Sequence, residues 1–265
     1  ELPDVEVLRQ YFDSTALHQE IESIDVEEET VLKEITPRQL GRQLVGKRFL
    51  ETRRHGKFLF ARLDETGNWL VLHFGMTGDL KYYKLPVEKP DYELVAIRFS
   101  NGYTLGYVMI RKLGEVRVVS NVADFIDERD FGPDVFSDDF SFERFKERLE
   151  GRRGMIKSAL MNQHIMAGIG NVYSDEILFQ AGIHPKAKVN DLDDEDLRQI
   201  YHRMERVLNM AIKHQAEPAD FPAGYITPIR GEESAECPGC SGKLARIEVS
   251  GRGGYYCPKC QTKPE

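Results

Sequence analysis

Residues 155–185 read MIKSALMNQHIMAGIGNVYSDEILFQAGIHP. Within them Gly168-Ile169-Gly170-Asn171 ends one helical pattern and begins another. Asn171 suits the N-cap of the second helix. Asp175 and Glu176 fall in its first turns, where carboxylates complement the positive end of the helix dipole. A helix start flanked by glycines presents backbone N–H groups and is a natural place for a phosphate. Taken alone, the same pattern is equally an ordinary helix–helix turn.

Downstream lie all four cysteines, as Cys237-Pro238-Gly239-Cys240 and Cys257-Pro258-Lys259-Cys260, with sixteen residues between the pairs. Two residues between thiolates let both reach one tetrahedral ion, and the spacer is long enough for a β-hairpin with a pair at its base. LARIEVSGRGGYYC supplies that hairpin, with Arg252 in a Gly-Arg-Gly-Gly tip. Four thiolates leave no open position for water, so a zinc ion held there is structural. Two disulfides or four free thiols are the competing readings. An arginine between glycines can approach a phosphate without obstruction; a solvated turn residue is its plainer role.

Upstream, Val5, Leu8, Phe12 and Leu17 fall on one helical face between Pro3 and His18, and Pro3 suits a first turn. From about residue 43 the apolar period becomes two. RRHGKFLFARL and NWLVLHF read as strands joined by DETGN, YELVAIRF and YTLGYVMI are joined by Ser100-Asn101-Gly102, and EVRVVS adds another. Such strands close as an antiparallel sandwich or flattened barrel. Residues 121–140 are acidic and irregular around Gly132-Pro133, as expected of a linker. Helical patterning resumes with Phe142, Phe145 and Leu149, and culminates in a stripe of Leu197, Ile200, Met204, Val207, Leu208 and Ala211. The expected plan is α+β. A β-sandwich with an N-terminal helix occupies 1–120, a linker 121–140, a helical domain 141–230 and a β-hairpin zinc finger 231–265.

Composition frames this plan. The chain has 265 residues, 41% hydrophobic and 30% charged, an ordinary balance for a globular protein of two domains. Its net charge of −8 argues against a nucleic-acid partner. That average is misleading, however. Residues 151–265 carry 15 Lys+Arg and 15 Asp+Glu, so the whole excess lies in residues 1–150. Much of it sits in IDVEEETVLKE, residues 24–34, the mark of a solvated face turned away from any anionic ligand. No apolar run approaches the eighteen or so residues of a membrane span, and no signal-peptide pattern precedes the first motif. Cysteines confined to the last thirty residues suit a reducing, cytoplasmic setting.

ELPDVE at the start, AGIGNVYSDEILFQAGIHP in the middle and GRGGYYCPKCQ near the end resemble three signatures of one family, in the same order. The family is the formamidopyrimidine-DNA glycosylase and endonuclease VIII superfamily, with its helix–two-turn–helix element and zinc finger. RRHGKFL and HFGMTG sit where that family places further DNA contacts. The resemblance spans the chain and implies a bifunctional base-excision enzyme, a DNA glycosylase with AP lyase activity. In the family an N-terminal proline amine attacks C1′ of the damaged nucleotide, expels the base and leaves an iminium-linked intermediate; elimination then nicks the strand. With an ordinary pKa of about 7.7–8.0, an α-amine is substantially neutral and nucleophilic at working pH.

The resemblance also implies roles. Glu1 becomes the catalytic acid/base. Lys57 and Asn171 grip phosphates around the flipped nucleotide, joined by His73 and Lys157, and Arg252 takes the lesion-flanking phosphate. Met76, Arg111 and Leu113 form the wedge that fills the duplex gap, with Leu113 standing where the formamidopyrimidine branch usually has phenylalanine. Without the resemblance, Met76 and Leu113 would read as sheet core. Cys237, Cys240, Cys257 and Cys260 hold zinc. The implied partner is double-stranded DNA with a damaged base or abasic site, bound by a monomer in a prokaryote-like cytoplasm, at the nucleoid.

Two features depart from the family. The sequence reads from Glu1, the residue after the family's proline, so a proline is expected to precede Glu1 in the native chain. The alternative is a catalytically silent or N-terminally truncated form that grips lesion DNA without cutting it. In addition, HQAEPADFPAGYITPIRGEESAEC does not resemble the formamidopyrimidine branch and is short for a loop that caps 8-oxoguanine. Formamidopyrimidines, 8-oxoguanine, oxidised pyrimidines and abasic sites thus all stand as substrates.

Overall fold

Eight antiparallel strands form two four-stranded sheets in the computed structural model, which describes residues 1–84, 89–232 and 234–262. The chain divides into two compact units, residues 5–129, and residues 130–265 together with residues 1–4.

In residues 5–129, one sheet runs in the order β1 (Ile21–Val26), β6 (Glu93–Phe99), β7 (Thr104–Met109), β5 (Gly78–Tyr83). The other runs β2 (Phe49–His55), β3 (Phe58–Leu63), β4 (Trp69–His73), β8 (Glu115–Val119). The two form the expected antiparallel sandwich. One face of each strand feeds a common core that includes Leu59, Leu63, Leu70, Leu72, Ile97 and Leu105. Each such buried side chain contributes roughly 1.5–3 kcal/mol. Helix α1 (Leu2–Thr15) adds Val5 and Phe12 to that core, with Phe12 edge-on to Phe49 at 5.1 Å.

Three local readings change. RRHGKFLFARL is a hairpin rather than one strand: His55 pairs with Phe58 across a two-residue turn, and Gly56, at φ 55°, supplies the positive φ such turns require. The acidic stretch begins within β1, an edge strand, and continues beyond it. Glu22, Asp25 and Glu27 stay exposed there while Ile21 is buried, so it is both a solvated face and a strand. The stretch 121–140 includes helix α3 (Val122–Glu128), capped by Asn121, which accepts from the Ala123 N–H at 2.7 Å. Its Phe125 is buried against Phe58 and Phe60, at 5.4 and 5.5 Å between ring centres. A further helix, α2 (Pro37–Leu44), is set by a capping box between Thr36 and Gln39 with proline in the first turn.

The second unit is helical: α4 (Phe142–Leu149), α5 (Ile156–Met161), α6 (Asn171–Ala181) and α7 (Asp194–Lys213). The whole expected stripe of α7, from Leu197 to Ala211, is buried, and Asp193 caps its start with bonds to the Glu195 and Asp196 N–H groups. Helix α6 is buried continuously from Tyr173 to Phe179, charged residues included. Leu2 packs into this helical core beside Ile169 and Tyr173. The hairpin β9 (Ala245–Val249) and β10 (Arg252–Tyr256) follows, over a small core of Phe179, Ile226, Leu244, Cys237 and Cys257. Among the described residues no helix is long and apolar enough to cross a membrane.

Candidate functional site

The Gly168–Asn171 turn holds the start of the chain. The Leu2 N–H donates to the Gly168 carbonyl at 3.0 Å. The Glu1 carboxylate accepts from the N–H groups of Gly170 and Val172 at 2.8 Å each, and of Tyr173 at 3.2 Å. These are the donors that the sequence offered to a phosphate, and an internal carboxylate occupies them. Asn171 is accordingly not the N-cap. Gly170 is, with no side-chain cap of its own, because Glu1 caps the helix from outside. A Cβ on Gly170 would collide with the Glu1 carboxyl carbon, so the close approach demands glycine. The Glu1 amine donates to Asp4 at 2.7 Å.

Helix α6 then binds the finger through buried charge. Lys157 Nζ meets Asp175 Oδ1 at 2.5 Å, both side chains fully buried. Asp175 Oδ2 accepts from the Tyr255 N–H at 3.1 Å and from Arg230 Nε at 3.2 Å. Burial pushes the Lys157 ammonium down and the Asp175 carboxyl up from their ordinary ranges, while their mutual attraction pulls the other way; the Arg230 charge lowers both, opposing burial at Asp175 and adding to it at Lys157. A Cβ on Gly254 would collide with the Lys157 ammonium, which gives GRGG a packing reason. The expectation that Lys157 contacts a phosphate is therefore corrected: with no exposed surface, it is the counter-ion of Asp175. Asp175 and Glu176 are likewise anchors rather than solvent-facing dipole partners. Glu176 accepts from the Ile226 and Thr227 N–H groups and the Thr227 hydroxyl at 2.7–2.9 Å, fixing the segment before the finger.

Asn171 Nδ2 donates to the Gly253 carbonyl at 2.8 Å, so this side chain too faces β10. Its buried Oδ1 has no partner among the described residues. Arg252 is exposed, but it opens β10 opposite Val249; the tip itself is Ser250-Gly251. The four cysteines converge, with every Sγ within 4.8 Å of the others and the Cys237–Cys260 and Cys240–Cys257 pairs at 3.7 and 3.5 Å. Ligands 2.3 Å from a tetrahedral zinc stand about 3.8 Å apart, so the set fits the ion, and the all-sulfur shell makes it structural.

The sandwich unit carries the remaining candidates. Lys57 lies on the β2–β3 turn, half-buried. His73 ends β4, its ring 4.6 Å from that of Phe58 and its Nδ1 accepting from the Gly75 N–H at 3.4 Å. Burial pushes its pKa down to about 4; Glu115 opposes this, and Lys57 and Arg129 assist it. His73 is thus a neutral donor at working pH rather than a cation. Met76, Arg111 and Leu113 occupy two adjoining connections. Arg111 Nη1 donates to Met76 Sδ at 3.2 Å, and the chain at Gly75 packs against Leu113. Met76 is 72% and Leu113 55% exposed, so neither belongs to the sheet core.

Sequence reasoning missed Asp175, Glu176, Arg230 and Thr227 as anchors. The available signal was an acidic pair directly before the apolar run Ile177-Leu178-Phe179 of a helix.

An antiparallel sandwich, a helix–turn–helix built around a glycine-rich break and a four-cysteine hairpin define a class of DNA-repair glycosylases. Residues 1–116 match the formamidopyrimidine-DNA glycosylase N-terminal domain, 131–221 the H2TH domain of the same enzymes, and 236–263 the zinc finger found in FPG and IleRS. Formamidopyrimidine-DNA glycosylases of Bacillus subtilis and Desulforamulus reducens are 30% and 32% identical, over 99% and 98% of both chains respectively. A Lactococcus lactis Fpg solved with FAPY-dG-containing DNA superposes with a TM-score of 0.90 at 28% identity, covering 99% of this chain and all of that one. The same enzyme with DNA containing an abasic site gives 0.88 at 27%, with the same coverage. The chain belongs to the formamidopyrimidine-DNA glycosylase family.

Proposed function

We propose that the protein excises oxidised bases from duplex DNA and cleaves the resulting abasic strand, with Glu1 as its catalytic acid/base. Membership of the family makes it a DNA glycosylase of base-excision repair with lyase activity, and its finger a structural zinc site. The observation that carries the residue-level reading is the seating of Glu1 on three N–H groups of the glycine break. That contact joins two of the three sequence signatures at one point. A carboxylate fixed there can pass protons between the departing base and the sugar, while an amine–C1′ Schiff base carries the covalent step.

Lys57, Asn171 and Arg252 serve as phosphate contacts, with His73 as a neutral hydrogen-bond donor. Asn171 exchanges its bond to the Gly253 carbonyl for a phosphate oxygen. Met76, Arg111 and Leu113 enter the stack where the base has left, the two apolar chains holding neighbouring bases apart. The protein works as a monomer in the cytoplasm, at the nucleoid; its relatives are bacterial enzymes.

FAPY-dG and an abasic site, the ligands of the Lactococcus neighbours, are the first two arms of the test. Duplexes with 8-oxoguanine and an oxidised pyrimidine complete it. Borohydride should trap a covalent adduct on at least one, and Glu1→Gln should slow its formation by roughly a hundredfold or more. Binding without any adduct or nick across the panel would favour a silent or N-terminally truncated form instead, and the intact mass of the protein distinguishes the two.

A further inference from the structure

We infer that Met76 is a site of reversible sulfoxidation that disables the wedge under peroxide stress. The inference rests on the wedge reading and adds regulation to it. Of the seven methionines, Met109, Met161, Met166 and Met204 are buried and Met155 and Met210 half-buried. Met76 is exposed over 72% of its surface. A peroxide approaching the folded protein therefore meets one thioether well before the others. That thioether also already has a partner, because Arg111 Nη1 points at Sδ from 3.2 Å.

In the reaction a sulfur lone pair attacks one peroxide oxygen and the O–O bond breaks. Sulfur is oxidised by two electrons to the sulfoxide, and hydrogen peroxide is reduced to water. A thioether is a weak acceptor, whereas a sulfoxide oxygen is a strong one. The guanidinium beside it is placed to donate to the new oxygen in a charge-assisted bond. Two losses follow from one atom. The chain that must lie between apolar base faces becomes polar, and the arginine that should meet the orphaned base is held by its neighbour. Neither Leu113 nor Ile110, exposed on the adjoining connection, compensates, because both are aliphatic and lack a donor.

The test uses the full-length, zinc-loaded protein treated with graded hydrogen peroxide. Peptide mass spectrometry follows oxygen gain at each methionine, a colorimetric chelator follows zinc release, and affinity for abasic-analogue duplex is read on the same samples. Met76 should oxidise first, and affinity should fall roughly tenfold in step with it, the size of one lost stacking contact. Methionine sulfoxide reductase with a dithiol should restore it. Met76→Leu, normalised to its own untreated affinity, should resist the same doses. Oxidation elsewhere with Met76 intact would overturn the inference, as would an equal response of Met76→Leu accompanied by zinc release. A fully oxidised Met76 with unchanged affinity would overturn the switch alone, provided Met76→Ala weakens binding. Unchanged affinity in untreated Met76→Ala would overturn the wedge assignment and the switch together.

Discussion

At the residue scale, Glu1 and Gly170 form a tight steric constraint. The glycine's φ of −124° suits any residue, so the demand for glycine is purely one of space beside the carboxylate. Gly170→Ala should therefore displace Glu1 and leave the rest of α6 in place. We expect a fall of at least about tenfold in borohydride trapping with a stability loss of about 1–3 kcal/mol, the usual cost of overpacking. Denaturation and trapping measured on one preparation separate the two effects. His73 gives a second test. Its folded pKa lies near 4, below the 6.5 of a free imidazole, so the unfolded chain binds more protons between those values. Stability from this group is thus present above pH 6.5 and is lost as pH falls toward 4. Its ring resonances in a proton NMR titration should stay in the neutral form down to about pH 4. A midpoint at 6 or above would show instead a histidine open to solvent or paired with Glu115.

At the scale of elements, Asp175 couples α6 to β10. Replacing it with asparagine strands the Lys157 ammonium with no exposed surface, and removing one partner of a buried pair costs about 3–5 kcal/mol. Thermal denaturation of Asp175→Asn should show that loss. A shift no larger than a surface substitution gives would mean that Arg230 and Lys157 find other partners. The same helix shows what a sequence can and cannot reveal. Its existence was plain from the glycine break and the run of apolar residues, and α7 was plain from a one-sided stripe. The burial of Asp175 and Glu176 was not, because acids near a helix start normally face water, and only tertiary partners on β10 and at Thr227 reverse that. Lys157 was misassigned for the same reason: a lysine reads as a surface cation until its counter-ion is seen. Strand β1 was hidden by acids on its exposed edge, although Ile21 and Ile24 sit among them. Helix α2 was overlooked despite a legible signal, Thr36-Pro37-Arg38-Gln39, which is a capping box with proline at the first helical position. Met76 and Leu113 are the opposite case: they look like core by composition, both are largely exposed, and resemblance alone set them outside the sheet core.

For the molecule as a whole, a net charge of −8 is no bar to DNA binding: residues 151–265 are neutral overall, and a cluster of the acids in residues 1–150 lies exposed on and just after the edge strand β1. Binding should still be salt-sensitive. Lys57→Ala is expected to lower the slope of log K against log salt by about 1, with a similar effect on all sequences. An unchanged slope would remove Lys57 from the phosphate contacts. Zinc acts at this scale too. Cys257 is buried, and its N–H is held by Gln261, which in turn reaches the Ile183 carbonyl at the end of α6. Chelation or Cys257→Ser should release the ion, unfold the hairpin and weaken lesion binding by more than tenfold, with the sandwich left intact by circular dichroism.

The seating of Glu1 also bears on how the protein is made. Its carboxylate bonds to Gly170, 169 positions later in the chain. At ~5–20 residues per second, roughly ten to thirty seconds of translation separate the two partners. During that interval the sandwich strands have all been synthesised, yet the Glu1 carboxylate, our proposed acid/base, has nothing to hold it. A nascent chain that stalls before residue 168 therefore cannot assemble its chemistry, and competence to cut DNA arrives only once the gripping helices exist.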